Sequence, residues 1–194
     1  VCFQSVAQSD EQAIALAKAV LKANGGQKNW DATRHIQWNF FGNRVLTWDK
    51  WTGDVRIEFT KEKTIYLVNI NSNTGRALQA GNEITAPDSL AKLMKRAKEI
   101  WINDSYWLVM PYKLLDPGVT LRYIGEKNTE KGEPADVIEL TFREVGVTPN
   151  NKYHIFVDKK TQRVSQWSFF GNFTDEKPRF TLPWQNYQQY GKIW

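Results

Sequence analysis

Asp104-Ser105-Tyr106-Trp107-Leu108-Val109-Met110-Pro111-Tyr112-Lys113-Leu114-Leu115-Asp116-Pro117-Gly118 is the most apolar and aromatic passage of the chain. It directly follows the best helical pattern in the sequence and carries two prolines. Each proline lacks the N–H that a helix or a ladder needs, so the stretch reads as neither an uninterrupted helix nor a strand. Rings of this size demand burial. The stretch is expected to be the hinge between two runs of strands, lying as a lid over an apolar sheet face.

Working outward, Leu90, Leu93, Met94, Ala97 and Trp101 recur at helical spacing, with Lys92, Lys95, Arg96, Lys98 and Glu99 on the remaining surface. Ala86-Pro87-Asp88-Ser89 marks the start, with Asp88 or Ser89 as the cap. Before this helix the period is two. Ile36, Trp38 and Phe40 alternate with Gln37, Asn39 and Phe41, Gly42-Asn43 turns the chain, and residues 44–51 return. Val55, Ile57 and Phe59 alternate with Arg56 and Glu58, and further strands are predicted at 64–71 and 76–80. Strands so closely spaced, with no helix between them, make an antiparallel meander. After the lid, strands are predicted at 119–124, 136–144, 153–158, 163–170 and 178–184. Near the beginning, Ser9-Asp10-Glu11-Gln12 reads as a capping box with Ser9 as cap. It opens a short amphipathic helix through Ile14, Ala17, Val20 and Leu21 that Asn24-Gly25-Gly26 stops. The expected fold class is α+β: one curved antiparallel sheet covered by an N-terminal helix and a lid helix near the middle, in a single domain over residues 8–194.

The chain has 194 residues, with 9 Trp, 10 Phe and 7 Tyr, so its apolar content is concentrated in large rings suited to strands and an aromatic-lined interior. A net charge of +5 arises from 26 basic and 21 interspersed acidic residues. Neither a focused basic stripe nor a nucleic-acid module is legible, so nucleic acid is not an expected partner, whereas peripheral contact with an anionic membrane surface is compatible. Cys2 is the only cysteine, which rules out an intramolecular disulfide and a cysteine-based metal site. Residues 1–7 end in Ser5-Val6-Ala7, a small-x-small pattern, and read as the remnant of a signal peptide; lipidation of Cys2 and a plain disordered terminus are the rival readings. No later apolar run reaches the roughly 20 residues of a membrane span.

The chemistry-bearing residues are few. His35 and His154 each lie at or near a strand beside aromatic residues, and neither has a second histidine or carboxylate at metal-ligand spacing. Glu58, Asp136 and Glu139 alternate on strands as a solvated sheet face would. Nucleophile elbow, phosphate loop and dinucleotide fingerprint are all missing, so no catalytic residue, metal or cofactor is expected. Asn103-Asp104-Ser105 and Asn172-Phe173-Thr174 match the glycosylation sequon, a motif short enough to arise by chance. Trp38-Asn39-Phe40-Phe41-Gly42-Asn43 recurs as Trp167-Ser168-Phe169-Phe170-Gly171-Asn172, which two independent aromatic strands with Gly-Asn turns explain more simply than a duplication.

From Trp101 through Asn103–Leu114 and Asp116-Pro117-Gly118-Val119 to Tyr123-Ile124-Gly125-Glu126, the chain resembles the midsection of exported LolA/LolB-like lipoprotein carriers, in a branch found in Bacteroidota. Lys22–Gly26 with Trp30, Val145–Pro149 and Tyr153–Asp158 fit the same pattern, so the resemblance spans most of the chain. It implies a half-open antiparallel β-barrel wrapped around a helical lid, located in the periplasm or cell envelope, with an apolar concave face that receives lipoprotein acyl chains. The sequence departs from the family at Tyr190–Trp194, which reads as strand where such folds usually continue, and none of its residues matches the carriers' functional positions. The expected function is binding of an apolar or acyl-chain ligand, a lipid or a lipoprotein, between sheet and lid. The candidate lining is Trp38, Phe40, Leu93, Met94, Trp101, Trp107, Met110, Trp167 and Phe169. The alternatives are a non-catalytic envelope interaction module with a filled core and an enzyme using His35 or His154.

Overall fold

The structure, a computed structural model, describes residues 9–142 and 148–194. The signal-peptide remnant, Cys2, the end of the 136–144 strand and Val145–Val147 lie outside the described residues. The elements are α1 (Glu11–Ala23), α2 (Gln27–Ala32), β1 (His35–Phe40), β2 (Arg44–Asp49), β3 (Asp54–Phe59), β4 (Thr64–Asn69), β5 (Thr74–Gln79), β6 (Asn82–Glu83), α3 (Pro87–Lys113), β7 (Val119–Asn128), β8 (Pro134–Phe142), β9 (Lys152–Asp158), β10 (Val164–Phe170) and β11 (Phe180–Pro183). The α+β class with antiparallel strands is as the alternation implies. The expectation of one sheet is corrected: the described strands make two, β1-β2-β3-β4-β5-β6 and β11-β10-β9-β8-β7, neither closed into a barrel. The chain divides into two compact units, one of Asp31–Leu108 and the other of the chain up to Trp30 together with Val109–Trp194.

In the Asp31–Leu108 unit, strands β1 to β5 are each six residues long and pair with their sequence neighbours. The register places Trp38 opposite Leu46, Leu46 opposite Ile57, Ile57 opposite Tyr66 and Tyr66 opposite Ala77, so one face is a continuous apolar row. That face is the core: Leu46, Ile57 and Ala77 are fully buried. The turns recur chemically. Asp49 Oδ1 accepts from the N–H groups of Trp51 and Thr52, and Asn69 Oδ1 from those of Asn71 and Ser72. Four residues on, Gly53 and Asn73 donate back to the carbonyls of Asp49 and Asn69, each at positive φ. A strand ending in Asx with a left-handed residue four positions later is thus a local device that returns the chain. β6 and α2 are short elements that the periodicity did not reveal.

Helix α3 begins at Pro87, whose missing N–H costs nothing at a first position, so Asp88 and Ser89 sit inside the first turn rather than capping it. It also corrects the hinge expected over 104–118. The helix continues through Pro111 to Lys113, and only Pro117 stands in the turn before β7. Pro111 lies in the final turn, where its ring costs one hydrogen bond, to the Trp107 carbonyl, and about 3 kcal/mol. Burial of Val109, Met110, Pro111 and Tyr112 offsets that cost. Residues 87–108 of α3 belong to this unit and 109–113 to the other.

In the other unit the cap of α1 is Asp10, not Ser9. Asp10 Oδ1 accepts from the Ala13 N–H at 2.7 Å. Its Oδ2 accepts from the Tyr123 N–H at 2.7 Å, while Ser9 Oγ accepts from the Leu121 N–H at 2.9 Å. The Asp10 N–H donates to the Leu121 carbonyl. Ser9 and Asp10 therefore occupy hydrogen-bonding groups along the outer edge of β7, which would otherwise template further strand pairing. Beyond α1, the Tyr112 ring stacks on Trp30 at 4.4 Å, and its hydroxyl lies 2.7 Å from the Asn24 carbonyl and 2.8 Å from that of Trp194. The Arg163 guanidinium lies 3.9 Å over the Trp194 ring and donates to the Ala23 carbonyl. Residues 190–193, expected as strand, form a tight turn closed by a Tyr190–Ile193 bridge, and the last strand is Phe180–Pro183 rather than 178–184.

Candidate functional site

The nine candidate lining residues fall into the two units. Trp38, Phe40, Leu93, Met94, Trp101 and Trp107 lie in the Asp31–Leu108 unit; Met110, Trp167 and Phe169 lie in the other. In the first unit they form a ring-rich layer between α3 and the sheet. Trp38 is 9% exposed and Met94 2%. Phe40 meets Trp107 edge-on at 6.4 Å, and Phe41 meets it at 6.1 Å. The layer has a member not anticipated from the sequence, Trp48, which packs edge-to-face with Trp101 at 5.1 Å. Its signal was present, since Trp48 alternates with Leu46 and sits opposite Ile36 on the face of Trp38.

Two charges are set among these rings. Arg44 Nε donates to Asp104 Oδ2 at 2.5 Å and its Nη2 to Oδ1 at 3.0 Å. The Asp104 side chain has no solvent exposure. The Arg44 guanidinium also lies over Phe40 at 5.1 Å and Phe59 at 5.9 Å. This bidentate pair ties β2 to α3, sixty residues away in sequence. Nearby, the indole N–H groups of Trp38 and Trp101 are buried without a hydrogen-bond partner among the described residues.

In the other unit, Trp167 stacks on Tyr153 at 5.2 Å and 3°, Phe169 lies 5.4 Å from Tyr153, and Phe169 stacks on Phe180 at 5.1 Å. Met110 is fully buried. Burial pushes the Tyr153 phenol up to about 12. The two copies of the Trp-x-Phe-Phe-Gly-Asn motif differ. Phe170 is 2% exposed within β10, whereas Phe41 is 68% exposed and has φ of 49° in a turn.

The opposite face of the five-stranded sheet carries a cross-strand row of Arg122, Glu139, His154, Ser168 and Thr181. His154 Nε2 lies 3.3 Å from Glu139 Oε2, and Arg122 donates to Glu139 Oε1 at 2.9 Å. The Ser168 hydroxyl is committed to Thr181, at 2.8 Å, rather than to His154. Burial lowers the His154 pKa below its ordinary value of 6.5; the Glu139 bond opposes this, and the charges of Lys127 and Lys152 reinforce it. The unfolded chain thus binds this proton more tightly, so stability is expected to fall as pH drops from 7 towards 5. His154→Gln removes that slope while leaving the losses below about pH 4 that come from carboxylates such as Asp54 and Glu83, whose pKa values are lowered by Asn69 and Arg76. Urea titrations at several pH values check both windows. His35 sits at an exposed edge, 3.3 Å from Asp49.

The face of the six-stranded sheet away from α3 carries an open groove of about 450 Å³. It is built from two adjacent cross-strand rows: His35, Asp49, Asp54, Asn69 and Thr74, then Thr47, Arg56, Leu67 and Arg76. Among the described residues no group of three or more His, Cys, Asp or Glu side chains is placed to hold a metal ion, and no helix is long and apolar enough to cross a membrane. No protein-family model matches the chain, and no curated protein matches it.

Proposed function

We propose that this chain is an exported, non-catalytic binding protein of the cell envelope whose ligand is an apolar or acyl chain bearing an acceptor oxygen, taken up through the tryptophan-rich layer under α3. The observation that carries this reading is the pair of buried indole donors, Trp38 Nε1 and Trp101 Nε1, without an acceptor among the described residues. A buried donor left unpaired costs about 1–3 kcal/mol. A carbonyl or carboxylate oxygen at the head of an acyl chain satisfies such a donor, and the surrounding rings suit the chain itself. The rings of Trp167 and Phe169, packed on Tyr153 in the other unit, offer a surface of the same kind. The resemblance to lipoprotein carriers points in the same direction.

The test is titration of the full chain with palmitate and with a diacylated lipopeptide, followed by tryptophan fluorescence and calorimetry. Saturable binding is expected, weakened about tenfold by Trp38→Phe or Trp101→Phe, which keep a ring and remove the N–H; a tenfold loss corresponds to about 1.4 kcal/mol, the worth of one hydrogen bond. An unresponsive protein, or phenylalanine variants that bind as the parent does, would overturn it. One observation favours a second reading. The layer is closely filled, with Leu46, Ile57 and Ala97 fully buried and Tyr66 at 2% exposure, as befits an envelope interaction module with a packed core. Capture of one stoichiometric envelope protein by a chain that binds neither palmitate nor lipopeptide supports that alternative.

A further inference from the structure

The groove on the outer face of the six-stranded sheet lies on the side away from the tryptophan layer, and its side chains share a pattern. Every charged group in it already has a partner. Arg56 donates to Glu58 at 2.7 Å, and Arg76 makes a bidentate pair with Glu83 at 2.7 and 3.1 Å. Asp54 accepts from Asn69 Nδ2 and from Thr52 Oγ1, both at 2.8 Å. Asp49 is held by Arg34. These pairings orient planar polar groups without exhausting them, because a guanidinium has five N–H donors and a carboxylate about four acceptor positions. Leu67 stands between Arg56 and Arg76 in one cross-strand row and gives the floor an apolar centre.

A charged ligand gains little here, since engaging one guanidinium or carboxylate means competing with an ion pair already formed. A neutral molecule dense in hydroxyls avoids that competition. Each hydroxyl both donates and accepts, so it bonds to the unused edge of a guanidinium or carboxylate and leaves the internal pair intact. The C–H face of a sugar ring covers Leu67 as the hydroxyls reach its flanking arginines. The groove volume falls within the roughly 300–1,000 Å³ of small-molecule sites, room for one or two sugar rings. We infer that this groove is a binding site for a neutral saccharide, distinct from the surface that takes the apolar ligand.

The experiment screens the full chain against immobilised neutral oligosaccharides of gluco, manno and galacto configuration beside sialylated and sulfated glycans, then measures the strongest binder by calorimetry. The expected result is preference for a neutral glycan, affinity unchanged between 50 mM and 500 mM salt, and a loss of tenfold or more in each of Arg76→Met and Leu67→Asp. Both positions lie on the solvent face, and circular dichroism verifies that the variants fold. Trp38→Phe is expected to leave saccharide affinity unaltered, so failure of the acyl-chain reading and failure of this one are separable. Absence of binding to any neutral glycan, binding confined to anionic glycans and abolished by salt, or full affinity in both groove variants would each overturn the inference.

Discussion

Arg44→Met is expected to destabilise the protein by about 3–5 kcal/mol, read as a fall in the urea midpoint. Among the described residues the substitution leaves the Asp104 carboxylate, which has no solvent exposure, with only the Asn103 amide at 3.0 Å beside it. An uncompensated buried charge carries a penalty of that size. Asp104→Ala should cost less, because the Arg44 side chain keeps 22% exposure and the faces of Phe40 and Phe59. Joining Arg44→Met with Asp104→Leu should recover most of the loss, since an apolar pair of similar volume often replaces a buried ion pair without net cost. Equal and small effects, under about 1 kcal/mol for both single substitutions, would show that the pair contributes little to holding α3 on the sheet.

Gly75→Ala is expected to cost about 3 kcal/mol or more. Gly75 sits in β5 opposite Val68, and a Cβ there would lie 1.9 Å from the Leu67 carbonyl oxygen and 2.8 Å from Met94 Sδ. The first neighbour is backbone in the middle of the sheet and the second is the helix residue that packs on it. Neither yields without opening a filled layer, and overpacking of this kind, backbone shifts included, typically costs about 1–3 kcal/mol and occasionally more, with so close an approach at the upper end. Gly81 is the matched control in the same unit. Its φ is positive at 81°, but a Cβ would meet nothing within 4 Å. Gly81→Ala should therefore lose only about 1 kcal/mol, the conformational part alone. The same chemical denaturation compares the two, and similar losses would mean that close approach of helix and sheet at Gly75 is not what requires glycine.

The candidate site was legible in part. Trp38, Met94 and Trp101 were readable because alternation on β1 and helical spacing on α3 are patterns of near neighbours. Trp48 obeys the same rule, alternating with Leu46 on β2 and facing Ile36 across the pair. In the sequence Asp104 is the first residue of the lid stretch and part of a sequon but not half of an ion pair, because its partner Arg44 is sixty residues away and no local pattern joins them. The paired groove was hidden for the same reason. Arg56, Leu67 and Arg76 are ordinary outward-facing positions on three strands until the register sets them in one row.

By itself the sequence determined the local half of this protein: an α+β chain, strands returning at short turns, and an amphipathic helix opening within Ala86–Ser89. Period-two alternation, Asx turns and helical spacing depend on residues a few positions apart, so the chain carries them on its surface. Only the tertiary structure decided that Asp10 rather than Ser9 caps α1, because the second carboxylate oxygen of Asp10 bonds the Tyr123 N–H of β7. It likewise decided that α3 runs through Pro111, where burial of its neighbours offsets a lost backbone bond, and that the strands divide between two sheets. Burial sums over contacts distant in the chain, and when that sum exceeds the roughly 1–3 kcal/mol of a local preference, the local reading gives way.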